Sequence, residues 1–253
     1  LRLRVSELSC CGGPGEGVGA APWRRGPVGG GVLADGEFEV AVADDGVEVW
    51  VTQMGGYMNM NTAFIDRAAG IVAIVDPFDS KRWVTALAEE GLSPTHLLYT
   101  LTHREHAAGY SMMLKLVPDV EVWVHEEARV PSRLGHVVFK KVDFTHTWDS
   151  EPDTTVEWSA GSIRLGVTHS PGHAPGHVTF HGHGIYHAGD LLFTAHSGRV
   201  DLPGSDPGAQ WRSLLYAREP LRGVPSNWRL NPGARYEWVD DSQPDQGGPG
   251  KGE

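Results

Sequence analysis

Predicted strands fill both halves of the chain, and each half also carries helical segments. Apolar alternation and short apolar runs predict strands at 37–43, 47–53, 61–67, 70–76, 96–101 and 120–126, and again at 154–158, 162–169, 177–182, 184–190 and 227–233. Helices are predicted between Ser80 (N-cap) and Gly91 (stop), at 106–117 and at 208–219. Strand, helix and strand from 96 to 126 require a parallel pair with a right-handed crossover. This pattern predicts an α/β protein whose sheets pack face to face with helices outside.

Composition indicates one globular domain with polar extensions. Of 253 residues, 40% are hydrophobic and 21% are charged, the balance of an ordinary folded protein. Residues 1–34 are rich in Gly, Pro and Arg and predict a flexible arm, whereas residues 240–253 predict a disordered tail. The domain is therefore placed at 35–239. Cys10 and Cys11 are adjacent and lack the C-x-x-C spacing of a zinc or redox motif.

Charge and hydropathy limit the classes of partner that the protein can bind. A net charge of −11 argues against nucleic acid, whose phosphates are bound mainly by Lys and Arg. No apolar run reaches membrane-spanning length. The first residues lack the apolar core of a secretory signal, so we expect a cytoplasmic protein without a membrane partner. A small-molecule substrate or ligand is the expected partner, and the sequence leaves the oligomeric state open.

Metal-ligating side chains follow three predicted strands. His103, Glu105 and His106 lie in the loop after 96–101, His173 lies in the Pro/Gly-rich turn 170–177, and Asp190 ends the strand 184–190. A single strand-end histidine is more often a hydrogen-bonded core or surface residue, and a single aspartate is more often a turn former. Together, however, imidazole and carboxylate side chains from separate loops are typical of hydrolytic zinc sites.

The three segments resemble the metallo-β-lactamase superfamily, whose pattern is T-H-x-H-x-D-H-x-G-G, a P-G-H turn, a strand ending in G-D, and a late His after a Pro. Residues 100–109, His173 and Gly189–Asp190 match these blocks. Residues 61–79 resemble the entry strands, and 197–214 and 230–238 resemble the glyoxalase II and persulfide dioxygenase branch. The resemblance covers about 37–238 and implies a four-layer αββα sandwich of two mixed sheets.

Three positions depart from that pattern. Leu101 stands where the first histidine is expected, Glu105 replaces the aspartate, and Ala234 replaces the late histidine. The resemblance implies that each of two metal sites has lost one nitrogen ligand, and ligand losses weaken metal binding. We therefore expect at most one ion, zinc or alternatively iron, shared by His103, His173 and Asp190 with Glu105 or His106 assisting. The histidines that flank these segments are weaker substitutes: His169, His177, His181, His183, His187 and His196.

The resemblance implies a metal-dependent hydrolase with an altered, mononuclear site. Asp190 and Glu105 are the predicted catalytic residues, which orient the attacking water or accept its proton, and the substrate is an ester, thioester, lactone or β-lactam. One alternative is a non-catalytic binding or accessory protein, related to antibiotic biosynthesis, that kept the cleft. A second alternative is an iron-dependent persulfide dioxygenase-like enzyme, which needs a His, His, Asp triad.

Overall fold

The computed structural model describes residues 35–42, 46–128, 142–193 and 196–221, together with five short strands elsewhere in the chain. The predicted strand at 227–233, the two cysteines and Ala234 lie outside these residues. So do residues 240–253 and all of 1–34 except two short strands. The arm and the tail therefore stay predictions.

Eighteen strands and three α-helices make up the described fold. The strands of the first half are β1 (Arg4–Val5), β2 (Trp23–Arg25), β3 (Phe38–Val42), β4 (Glu48–Met54), β5 (Asn59–Asp66), β6 (Ile71–Val75), β7 (His96–Leu98) and β8 (Glu121–His125). Those that follow are β9 (Arg133–Leu134), β10 (Val137–Val138), β11 (His146–Trp148), β12 (Thr155–Ala160), β13 (Ile163–His169), β14 (Val178–Gly182), β15 (Ile185–His187), β16 (Leu192–Phe193), β17 (His196–Ser197) and β18 (Tyr236–Glu237). The helices are α1 (Ser80–Glu89), α2 (Tyr110–Leu116) and α3 (Pro207–Leu221).

Two sheets carry the architecture. The first has eight strands in the order β11-β8-β7-β6-β5-β4-β3-β2 and is mixed, because β6, β7, β8 and β11 run parallel while β3 to β6 form antiparallel hairpins. The second has the order β12-β13-β14-β15 and is antiparallel throughout. Short turns join its consecutive strands, which only antiparallel neighbours allow.

An apolar layer fills the space between the sheets. Strand residues alternate in direction, so Val49 and Val51 of β4 point inward while Trp50 points to the helical side. Leu165 and Phe180 of the second sheet complete the inner layer. Helices α1 and α2 cover the outer face of the first sheet, and α3 packs beside β15. The predicted four-layer αββα sandwich is confirmed.

Local details differ from the sequence prediction at two helix starts. Asp79, not Ser80, is the N-cap of α1, because its carboxylate accepts a hydrogen bond from the Arg82 amide at 3.1 Å. Helix α2 begins at Tyr110 rather than at His106, since the preceding residues form a separate tight turn. Within the described part of the chain, each helix is too short or too polar to cross a lipid bilayer.

Candidate metal centre

The loop after β7 carries three of the predicted ligands. The amides of His106 and Ala107 both donate to the His103 carbonyl, at 3.1 and 3.0 Å, and wind this segment into a tight turn. After this turn, Gly109 packs closely on the backbone at Pro77, where only glycine fits: a Cβ at this position would lie 2.2 Å from the Pro77 carbonyl oxygen. His103 and His106 are buried, and Glu105 is half-buried. One turn therefore supplies two imidazoles and a carboxylate.

Asp76 holds this loop from the end of β6. Its backbone is left-handed, with φ of 50°, and its Oδ1 accepts the Thr100 amide at 2.9 Å. Its Oδ2 lies 2.9 Å from His106 Nδ1 and 3.4 Å from His187 Nε2. Burial opposes ionisation, but the two histidines prevail and lower the pKa of Asp76. Because the carboxylate accepts a hydrogen bond from Nδ1–H, Nε2 of His106 is directed into the site.

The turn from Ser170 to His177 presents His173. The His173 amide donates to Gln210 Oε1 at 2.9 Å, and its Nδ1 lies 2.9 Å from the Arg199 carbonyl oxygen. A carbonyl can only accept, so Nδ1 donates this hydrogen bond and Nε2 is the ring nitrogen that faces the cluster. A Cβ on Gly172 would lie 2.3 Å from Gln210 Cα, so the turn packs directly on α3.

Asp190 enters the site from the end of β15. Its amide donates to His177 Nε2 at 3.0 Å, and His177 Nδ1 in turn meets Ser170 Oγ at 2.9 Å. Burial and then the neighbouring His173 lower the pKa of His177 to about 3. His177 is therefore neutral and supports the backbone of Asp190, with both of its nitrogens occupied.

The five predicted ligands meet in one buried place. His173 Nε2 lies 3.0 Å from His103 Nδ1 and 3.1 Å from Asp190 Oδ2, while His106 Nε2 lies 3.1 Å from Asp190 Oδ1. Two groups of ligand atoms each converge within 4.8 Å: His103, His173 and Asp190 in one, Glu105, His106 and Asp190 in the other. Asp190 belongs to both groups and bridges them.

Electrostatics favour a cation in this cluster. Burial, then His173 and His106, lower the pKa of His103 to about 3, so its ring is neutral. Burial opposes charge on His106 and Asp190, but their mutual attraction prevails: the pKa of His106 is raised and that of Asp190 is lowered. His106 Nε2 is nevertheless buried without an aligned hydrogen bond, despite its 3.1 Å distance to the carboxylate.

The sequence profile of the metallo-beta-lactamase superfamily matches residues 58–228, a range that contains all five of these side chains. The chain belongs to the metallo-β-lactamase superfamily. Among curated relatives, the hydroxyacylglutathione hydrolase of Aeromonas salmonicida is 30% identical over 127 residues, which are 50% of this chain and 44% of that protein. The chain spans about half the length of the curated relatives it matches.

Solved structures of the superfamily share the fold. The BLEG-1 B3 metallo-beta-lactamase aligns with a TM-score of 0.57 at 24% identity, covering 66% of this chain and 83% of that one. The di-iron-bound form of TTHA1623 aligns with a TM-score of 0.54 at 26% identity, covering 72% of this chain and 90% of that one.

Two of the three positions at which the sequence departs from the resembled pattern lie in the described part of the chain. Leu101 is buried, with 1% of its surface exposed, so an apolar side chain occupies the place of the expected first histidine. Glu105 reaches the same cluster as His106 and Asp190 despite its extra methylene. The place of the late histidine, Ala234, lies outside the described residues.

Flanking histidines have other partners. His169 Nδ1 and Nε2 each lie 2.9 Å from a carbonyl oxygen, of Ser150 and Pro175. His187 lies beside Asp76, and His183 Nε2 accepts the Arg164 amide. Among the described residues, the groups of converging ligand atoms include none of the six flanking histidines.

Sequence reasoning missed the residues that support the ligands. Asp76 was assigned only the end of a strand, and Gln210 only a helix position. An aspartate directly after an apolar strand, before a proline, was the available signal for Asp76. Nothing local to Gln210 indicates its hydrogen bond to His173, since the two residues are far apart in the chain.

The donor set fits a divalent cation. The His103 ring is neutral and Asp190 is ionised, while His173 turns Nε2 toward them. The buried Nε2 of His106 lies 3.1 Å from Asp190 Oδ1 without an aligned hydrogen bond. Imidazole nitrogen and carboxylate oxygen are ligands that zinc and iron both accept. The arrangement can therefore hold a metal ion and a water molecule beside two carboxylates.

Proposed function

We propose that this chain is a metal-dependent hydrolase that uses one divalent cation to cleave thioesters of small molecules. The observation that carries the proposal is the convergence of His103, His173 and Asp190 ligand atoms within 4.8 Å in a buried site. Zinc is the first candidate ion. Iron is the second, because the 26%-identical TTHA1623 is described in a di-iron-bound form.

Each residue has a definite task in this proposal. A bound divalent cation would polarise the substrate carbonyl and acidify a water molecule. Asp190 would hold the cation and orient the water, since a carboxylate with a lowered pKa accepts protons poorly. Glu105 is the second carboxylate of the site and the candidate proton acceptor. Water oxygen bonds to the acyl carbon, the carbon–sulfur bond breaks, and the thiolate leaves to take up the proton.

Support for a thioester comes from the relatives. The curated relatives are named hydroxyacylglutathione hydrolases at 28–32% identity. Esters, lactones and β-lactams pass through the same acyl chemistry and are the comparison substrates. The BLEG-1 similarity, at 24% identity, supports the fold and not β-lactam cleavage.

One observation favours a different candidate. Leu101 is a buried apolar residue at a ligand position, which suits a protein that kept the cleft and binds a small molecule without cleaving it.

A separate candidate follows from the His103, His173 and Asp190 group, which is a two-histidine, one-carboxylate set of the kind that iron oxygenases use.

The test uses the full chain and an S-acylated glutathione as substrate. We expect zinc-dependent thiol release that chelator abolishes and added zinc restores. His173→Ala should abolish this activity, whereas His196→Ala should retain it, because His196 is exposed and belongs to neither group of converging ligand atoms. Thiol release that survives both chelator and His173→Ala would overturn the metal mechanism.

Two further measurements separate the other candidates. Substrate binding without turnover at full zinc occupancy would favour the binding protein. Oxygen uptake with a thiol persulfide in the iron-loaded protein, without thioester cleavage, would favour the oxygenase.

A further inference from the structure

A threonine–histidine pair occurs twice at the opposite end of the parallel strands. Thr95–His96 opens β7 and Thr145–His146 opens β11, on either side of β8. Thr95 Oγ1 accepts the Val72 amide and donates to the Val72 carbonyl, both at 2.9 Å. Thr145 Oγ1 does the same with Val122, at 2.9 and 3.1 Å. The two histidines are thus attached to adjacent strands by the same device.

The hydroxyls determine the proton positions of the two rings. His96 Nδ1 lies 2.8 Å from Thr95 Oγ1, and His146 Nδ1 lies 3.0 Å from Thr145 Oγ1. Because each hydroxyl hydrogen is directed to a backbone carbonyl, each ring nitrogen donates to the hydroxyl. Nδ1 is therefore the donor in both rings, and Nε2 is the nitrogen that can ligate a cation.

Glu121 of β8 faces both rings. Its Oε2 lies 3.5 Å from His96 Nε2 and 3.7 Å from His146 Nδ1. Burial, opposed by Glu121 and reinforced by His146, lowers the pKa of His96, so this ring is neutral. The lone pair of His96 Nε2 and this carboxylate oxygen repel each other unless a cation lies between them. His146 instead turns its Nδ1–H toward Glu121, so its ring must rotate before Nε2 can bind the same cation.

The surroundings allow these groups to close on an ion. The side chains of Glu121 and His146 are 47% and 45% exposed, so both can rotate. These side chains must rotate to bind one ion, because their ligand atoms do not yet converge within 4.8 Å. In the described part of the chain, the groups that do converge belong to the interior centre. The His146 ring stacks on Trp123, with ring centroids 4.4 Å apart. The His96 ring contacts Trp158 edge-on, with centroids 5.3 Å apart.

We infer that His96, Glu121 and His146 form a second, outer binding site for a transition-metal cation such as nickel, copper or zinc. Two imidazoles and one carboxylate are a ligand set that these cations prefer. β8 has five residues and separates the outer site from the interior end of the strands by about 13 Å. The outer site is therefore independent of the interior centre, and its ion would join β7, β8 and β11.

Nickel chloride alone tests the inference on the full chain. Calorimetry and tryptophan fluorescence are followed together, because Trp123 and Trp158 contact the two histidines and a bound paramagnetic ion should quench them. We expect two classes of nickel site in the wild-type protein. His96→Ala and His146→Ala should each weaken the outer class at least tenfold and remove its quenching.

Matched variants distinguish the two centres. His173→Ala should remove the interior class and leave the outer class, while His196→Ala should change neither. Glu121→Gln keeps the shape of the side chain and should also weaken the outer class, so misfolding of an alanine variant does not decide the result. Observation of a single class in the wild-type protein, or an outer class that survives His96→Ala with His146→Ala, would overturn the inference.

Discussion

Replacement of Asp76 by asparagine tests how the metal centre is supported. Asp76 is 1% exposed, and its carboxylate meets the amide and hydroxyl of Thr100, His106 Nδ1 and His187 Nε2. Asparagine keeps an acceptor for the Thr100 amide but turns an N–H toward the other groups. Removal of one partner from a buried charged pair costs about 3–5 kcal/mol. In a domain of this size, that lowers Tm by about 6–20 °C.

The assay is equilibrium urea unfolding of the metal-free protein in chelator at pH 7. Asp201→Asn is the matched control, because that carboxylate is 70% exposed in its ion pair with Arg199 and should contribute less than about 1 kcal/mol. Asp76 has a lowered pKa in the folded state, so its contribution is present above the unfolded value of about 3.9 and is lost as pH falls below it. The gap between wild type and Asp76→Asn should therefore shrink in acid.

Metal binding gives a second reading of the same variant. If the new amide N–H donates to His106 Nδ1, that nitrogen must be unprotonated. The ring proton then lies on Nε2, the atom that faces Asp190 and would bind the metal. Zinc affinity should fall about 10–100-fold, as for other residues that orient a ligand. A stability loss below about 1 kcal/mol together with unchanged zinc affinity would refute this account of Asp76.

Further predictions concern pH, packing and the missing ligand. The pKa of His177 is lowered to about 3 in the folded protein, so on acidification the unfolded chain binds this proton first. The free energy of unfolding therefore falls as the pH drops below about 6.5. In urea titrations, His177→Gln should reduce the slope of that fall by up to about 1.4 kcal/mol per pH unit. Gly198→Ala would place a Cβ 1.9 Å from the Asp190 carbonyl oxygen, so it should lower the free energy of unfolding by about 1–3 kcal/mol and weaken zinc binding. Gly56→Ala has open space around its Cβ, so calorimetry should show unchanged stability and unchanged zinc binding. Leu101→His should destabilise the metal-free protein by about 1–3 kcal/mol, because it buries a polar ring, but raise zinc affinity. Unchanged affinity in thermal-shift titrations would indicate a remodelled pocket.

Much of the sandwich could be predicted because its signals are local. Alternation in β4 and the continuous apolar run of β6 report the layers that cover each strand. The start of α2 could not be predicted, since it depends on contact between Gly109 and the Pro77 carbonyl, residues brought together only by the fold.

The convergence of the candidate ligands could be predicted from the sequence, whereas the residues that support them could not. His103, His173 and Asp190 follow strand ends, where side chains from different loops converge. The proton positions on His106 and His173 depend on Asp76 and on the Arg199 carbonyl, which are distant in the chain. The sequence likewise does not report that His96 and His146 flank one carboxylate, because this depends on the strand order β7-β8-β11.

The number of zinc ions held by the interior centre decides whether this centre is mononuclear. A competition titration with a chromophoric chelator, performed on metal-free His96→Ala protein to exclude the outer site, counts only the cation bound near Asp190. We predict at most one tightly bound equivalent, which His173→Ala removes. Two tightly bound equivalents, or one that persists in His173→Ala, would contradict the proposed mononuclear site.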